Sequence, residues 1–207
     1  MNNDKGKNFS LNNTGKRKEN DLYETPYSMT QQLLKKEFFD SKYSIVEPAA
    51  GNGAIVRVLE EQGWGRGGGV LSYDLNVDHK DFLFDTQIYY QLITNPPYSK
   101  ALEFILHAKE VVVWKFAMLL PLSYLHGQKR YETLWQDFSI FSLRKIYIFT
   151  RYPMLGNSLR EDGKYETGMQ VYAWYIWQRN LHHETDIRPI VDHIDNNRYV
   201  CRKKDTE

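Results

Sequence analysis

Cysteine is nearly absent from this sequence: Cys201 is the only one. A lone thiol near the C-terminus permits no intramolecular disulfide framework and no thiolate cluster for zinc, so a reducing, cytoplasmic setting is expected. Long apolar runs are missing as well. None approaches the roughly 20 residues that cross a bilayer, and the opening MNNDKGKNFS has no apolar centre of an export signal, so no membrane association is expected. There is no surplus of charge either. Lys and Arg total 27 against 26 Asp and Glu, a formal net charge of +1, and any attraction to a polyanion must come from local patches.

What is present is 42% hydrophobic and 14% aromatic content in 207 residues, enough for the core of one globular domain. Residues 1–20 are rich in asparagine and lysine with almost no apolar side chains, and are expected to be a disordered polar tail. Residues 21–180 read as the folded domain and residues 181–207 as a second polar tail, irregular after Arg179. Within the domain, short apolar runs at Ile45–Glu47, Val70–Asp74, Leu92–Thr94, Lys115–Leu120, Arg144–Phe149 and Gln170–Trp177 read as strands. Spacings of three and four predict helices over Gln31–Phe39, Ala54–Gln62, Ala101–Val111 and Gln128–Phe138. That alternation implies an α/β fold, an open and mainly parallel sheet with helices on both faces. The last two strands have no helix between them and are expected to pair antiparallel. The alternating aromatics Tyr172, Trp174, Tyr175 and Trp177 are expected to be sheet packing.

Two segments carry chemistry. The first strand runs into Glu47-Pro48-Ala49-Ala50-Gly51-Asn52-Gly53 and then a helix. Gly51 and Gly53 lack a Cβ, so a ligand can approach the backbone, and the helix N-terminus presents N–H groups. No third glycine of a dinucleotide fingerprint follows and no Gly-Lys-Ser/Thr, which leaves a nucleotide-type site without a phosphate cradle. An acid at Glu47 suits a cation such as the amino-acid ammonium of S-adenosylmethionine. Asp74, with Leu75 beyond it, ends the next strand where an acid can take both ribose hydroxyls. Asp81 and Phe82 can serve an adenine, one at N6 and the other against the ring.

The second segment, Asn95-Pro96-Pro97-Tyr98, follows the apolar Leu92-Ile93-Thr94. The prolines fix the backbone and remove N–H donors, so Asn95 and the Pro96 carbonyl form a rigid set of acceptors. An exocyclic amine is a poor nucleophile because its lone pair is delocalised. Acceptors holding both of its hydrogens favour localisation as an electrophile approaches. Tyr98 offers a face on which a flipped base can stack.

On these residues the chain resembles the N6-adenine DNA methyltransferases, especially small Dam-like enzymes of phages and mobile elements, over about residues 22–179. The family's Tyr-x-Thr-Pro element, which closes over the cofactor, is here Tyr23, Thr25 and Pro26. The resemblance implies a Rossmann-like seven-stranded sheet ordered 3-2-1-4-5-7-6 with the last strand antiparallel. It implies S-adenosylmethionine at Glu47, Pro48, Ala49, Gly51, Gly53, Asp74, Leu75, Asp81, Phe82 and Asn95, and double-stranded DNA with its adenine flipped out at Asn95–Tyr98. A large target-recognition region is absent. Lys129, Arg130, Arg151, Arg160 and Lys164 in two short loops are the candidate nucleic-acid contacts, and relaxed specificity, a partner chain or a homodimer would compensate. RNA adenine or a protein glutamine as substrate, and a non-catalytic binding role, stay open. No metal is expected, because His182, His183 and His193 lie in a polar tail without companion ligands.

Overall fold

The computed structural model describes residues 24–64, 67–135, 140–150, 170–180 and 189–194. The helices are α1 (Tyr27–Lys36), α2 (Ala54–Glu61), α3 (Ala101–Val111) and the short α4 (Gln128–Arg130). The strands are β1 (Ile45–Glu47), β2 (Val70–Ser72), β3 (Tyr89–Thr94), β4 (Val112–Pro121), β5 (Phe141–Phe149), β6 (Tyr172–Arg179) and β7 (Ile190–Ile194). They form one seven-stranded sheet in the order β2-β1-β3-β4-β6-β5-β7. β6 runs antiparallel to both β4 and β5, while the other pairings are parallel.

This is the expected Rossmann-like sheet with one strand moved. β2, β1, β3, β4, β6 and β5 fill the places 2-1-4-5-7-6 of the anticipated order. Place 3, outside β2, holds no strand among the described residues. After β2 the chain makes a turn over residues 75–78 and the 3₁₀ turn Phe82–Phe84 instead. The seventh strand, β7, stands at the far edge beside β5, in a stretch expected to be irregular. Its sequence, Ile190-Val191-Asp192-His193-Ile194, buries only Ile194. At an edge with little of its surface covered, a strand needs little apolar content, so periodicity gave no warning.

Alternation along the strands divides the core between two faces. Val46, Leu92, Phe116, Met118 and Trp177 pack with α3 through Phe104, Ile105 and Ala108. Ile45, Ile93, Ala117, Leu119 and Trp174 pack with Met29 and Leu33 of α1 and with Ile55 and Leu59 of α2. The aromatics of β6 are sheet packing: Trp174, Tyr175 and Trp177 are fully buried, and Trp177 stacks on Phe116 at 5.1 Å between centroids.

α1 starts at Tyr27, four residues before the expected Gln31, because Pro26 (φ −57°) pre-sets its first turn. It ends before the expected Phe39, where Glu37 turns extended and delivers its carboxylate to Lys115 and Lys145. The helix expected over Gln128–Phe138 is interrupted. Three α-helical residues pass into a π-turn over Tyr131–Trp135, beyond which residues 136–139 lie outside the described set. No helix among the described residues is long and apolar enough to cross a membrane, and no group of three His, Cys, Asp or Glu among them could hold a metal ion.

Candidate active site

A pocket of about 430 Å³ opens at the C-terminal ends of β1, β2 and β3, where ligands of open α/β sheets bind. One wall is the glycine loop. Its backbone depends on positive φ at Gly51 (50°) and Gly53 (77°), a region that L side chains seldom adopt. The Gly51 N–H donates to Asp74 Oδ2 at 3.0 Å, which ties this loop to the end of β2. Asp74 is itself held, its Oδ1 accepting from Asn76 N at 2.8 Å. A carboxylate offers about four lone-pair sites, so both oxygens keep accepting capacity toward the pocket.

Across the pocket, Asp81 caps the Phe82–Phe84 turn by accepting from Leu83 N at 2.9 Å. Phe82 is almost fully buried, supported by Phe104 and the edge of His107 at 5.0 and 4.9 Å. The remaining wall comes from the end of β3. Asn95 and Pro97 line the pocket, with Ser99 and Lys100 at its margin, while Pro96 is buried behind them. Asn95 Nδ2 donates to Thr25 Oγ1 at 3.0 Å, so the Thr-Pro element is indeed brought against this site from 70 residues away. Thr25 lines the pocket and Pro26 is buried. Tyr23 lies outside the described residues.

Some expected residues take other places. Glu47 does not line the pocket; it is fully buried beneath the loop. Its Oε1 accepts from Ala49 N at 3.0 Å and from Thr94 Oγ1 at 2.6 Å, which joins the ends of β1 and β3. Its Oε2 is buried with no hydrogen-bond partner among the described residues. Burial outweighs these two donors, and with a smaller push from Asp74 raises its pKa to about 8. Glu47 is therefore mainly a neutral acid at pH 7. Tyr98 does not line the pocket; its ring tilts against Tyr172 at 5.7 Å. Gly53 shapes the loop without facing the pocket, and Pro48, Ala49 and the exposed Leu75 do face it.

Of the candidate nucleic-acid contacts, Lys129 is exposed on α4. Arg130 is engaged locally, its Nε donating to the His126 carbonyl at 2.9 Å and its guanidinium lying 4.6 Å from the Tyr124 ring centroid. Arg151, Arg160 and Lys164 lie outside the described residues. Among the residues that motif reading passed over are Glu24 and Lys100 on the wall, Thr94 on Glu47, and Arg57, whose guanidinium reaches Glu24 and Asn52. Thr94 and Lys100 adjoin a recognised motif. The contacts of Arg57 have no sequence signal.

The donor set fits S-adenosylmethionine. Two acids, Asp74 and Asp81, supply acceptors for hydroxyl and amino groups, Phe82, Leu83 and Phe104 supply an apolar wall for a ring, and a buried carboxyl oxygen waits beneath the loop. The volume suits a ligand of that size.

No family model and no curated protein matches this sequence. Solved structures do match. A type I restriction-modification methyltransferase subunit from Streptococcus thermophilus is 14% identical with a TM-score of 0.55, over 88% of this chain and 49% of that one. The 23S rRNA methyltransferase ErmE is 12% identical with a TM-score of 0.52, over 80% and 72%. A Listeria monocytogenes protein, provisionally described as a class I S-adenosylmethionine-dependent methyltransferase, is 10% identical with a TM-score of 0.54, over 88% and 65%. This chain thus spans about half the length of the restriction-modification subunit and about two thirds of the Listeria protein. With the strand order above, these likenesses identify the architecture of this chain as the Rossmann-like methyltransferase fold.

Proposed function

We propose that this chain is an S-adenosylmethionine-dependent methyltransferase that modifies N6 of adenine in DNA. The observation that carries this reading is the shared pocket: the glycine loop with Asp74 and Asp81 on one side, Asn95 and Pro97 on the other. A donor site and an amine-acceptor site then adjoin at the ends of neighbouring strands β1 and β3. The nucleic-acid class draws support from two of the similar folds, one a restriction-modification subunit and one an rRNA methyltransferase.

The donor supplies an electrophilic methyl carbon. Asp74 accepts hydrogen bonds from ribose hydroxyls, Asp81 accepts from the adenine amine of the donor, and Phe82 packs against its ring. Glu47 fixes Ala49 and Thr94 and so sets the spacing between loop and Asn95. Asn95 accepts a hydrogen of the target amine through Oδ1, its Nδ2 being given to Thr25. That contact orients the nitrogen lone pair, and such positioning can lower a barrier by roughly 7–11 kcal/mol. Asn95 is neutral and acts as an acceptor; the proton leaves N6 to solvent after transfer. Tyr98 supports Asn95 from the core side through Tyr172, and Lys129 contacts phosphate. Sequence specificity is relaxed, or is supplied by a partner chain or second copy.

The test is a methylation assay on unmethylated genomic DNA, with digested nucleosides read by mass spectrometry. N6-methyladenine is expected. Donor binding without any methylated base in DNA, alongside methylation of RNA or protein, would reject the substrate while keeping the enzyme class.

A further inference from the structure

The segment Glu24–Tyr27 touches both halves of the pocket and is fastened at each. At one end Thr25 Oγ1 accepts from Asn95 Nδ2, and Thr25 is only 4% exposed. At the other, the Arg57 guanidinium of α2 gathers three partners. Its Nε donates to Tyr27 Oη, its Nη1 donates to the Asn52 carbonyl at 2.7 Å, and its Nη2 pairs with Glu24 Oε1 at 3.5 Å. The same guanidinium lies 5.3 Å from the Tyr27 ring centroid. Glu24, Thr25, Asn52 and Asn95 all line the pocket, whereas Arg57 does not. Beyond Tyr27 the chain enters α1, where Trp174 Nε1 donates to the Met29 carbonyl at 3.0 Å.

Arg57 is exposed, and an arginine at such a position ordinarily keeps its rotamer freedom. Here it is immobilised by groups from two separate segments, which a planar fork with five donors can satisfy at once. Nothing in the packing of α2 requires this: the helix buries Ala54, Ile55, Val58 and Leu59 on its other side. The arrangement joins the glycine loop, through Asn52, to the segment that holds Asn95.

We propose that Glu24–Tyr27 is a clasp coupling the glycine loop to Asn95, with Arg57 and Thr25 as its positioning residues. This rests on reading the pocket as adjoining donor and target-amine sites. A donor that orders the loop draws the clasp against Arg57, and the clasp in turn holds the Asn95 amide with Oδ1 toward the incoming amine. Donor binding therefore prepares the amine site, and the two ends act as one unit.

The experiment measures S-adenosylmethionine affinity by calorimetry and turnover on unmethylated DNA for wild type, Arg57→Met, Thr25→Val and the double variant. Arg57→Met is expected to weaken donor affinity about tenfold and to lower kcat at saturating donor about threefold; Thr25→Val is expected to lower kcat about tenfold and to weaken donor affinity about threefold. Arg57→Lys and Thr25→Ser restore part of each loss, and melting temperatures stay near wild type, which separates positioning from damage to the fold. At limiting donor the double variant should lose less than the product of the single losses. Independent losses, or single variants that behave as wild type, overturn the clasp and leave the enzyme reading intact. Wild type that binds no donor at millimolar concentration overturns both.

Discussion

Glu47 and Glu37 are both buried, at 0% and 5% exposure, yet they stand at different parts of the sheet and in opposite electrostatic settings. Glu37 leaves the C-terminus of α1 and meets Lys115 at 2.5 Å, Lys145 at 2.8 Å and the Tyr147 hydroxyl at 2.8 Å. Burial alone would raise its pKa, but these partners together hold it below the ordinary carboxylate value. Glu47, under the pocket, has a hydroxyl and an amide but no cation, and burial raises it to about 8. A carboxyl neutralised by the chain itself is structural. One left without a counter-charge is held toward its neutral form and serves as an acceptor that joins the ends of β1 and β3.

The sharpest separation of the two regions comes from Asn95→Ala. Turnover should fall at least about a hundredfold, with donor affinity and melting temperature little changed; methylation at the wild-type rate rejects the amine-acceptor role. At the other region Lys115→Met should do the reverse. Removing one member of a buried pair costs about 3 kcal/mol or more, read as a lowered denaturation midpoint, while donor affinity per folded molecule is unchanged. An unaltered midpoint would mean that Lys145 alone compensates Glu37.

Glu47→Gln should raise stability at pH 7, by on the order of 1 kcal/mol or more, because the folded wild type keeps this carboxyl largely protonated at a pH where the unfolded chain ionises it, whereas glutamine keeps a hydrogen-bond acceptor without that cost. That gain depends on pH. Glu47 has a folded pKa above the unfolded value of 4.5, so its contribution to stability is fully present below that value and is lost as pH rises toward about 8. Urea titrations across this range should show that decline in wild type and not in the variant. Glu37 has the opposite sign: its contribution is present above 4.5 and is lost as pH falls through its lower folded value, so both proteins share the acid limb. The smallest effect is expected at Lys36–Asp192, a 2.9 Å pair with both side chains largely exposed. Lys36→Ala should leave the midpoint unmoved within error, because screening and side-chain entropy offset such pairs.

The parts of this molecule that depend on near neighbours in the chain could be read from the sequence. The period over Ala101–Val111 gives α3 at both ends, and Ile45–Glu47 is the first strand as expected. The glycine loop and Asn95–Pro97 are recognisable because strand-end turns need particular residues at particular spacings. What escaped depends on distance. The tie between Thr25 and Asn95 spans 70 residues, and that between Glu37 and Lys115 spans 78. Whether Glu47 faces the pocket or lies beneath it is decided by the packing of Thr94, 47 residues on. The strand β7 was missed for a different reason, its exposed edge position leaving almost no apolar pattern.

The seat of α1 sets an order of events at the ribosome. Met29 accepts from Trp174, and Glu37 accepts from Tyr147 across 110 residues, so the seat of the first helix is completed only once β5 and β6 have been synthesised. The glycine loop and β3 emerge much earlier and can pair on their own. Contacts of such sequence separation form late in folding. A nascent chain halted before β6 would thus hold both signature motifs and still lack the element that brings Thr25 to Asn95. Full docking of α1, and with it the tie from Thr25 to Asn95, would then wait for β6.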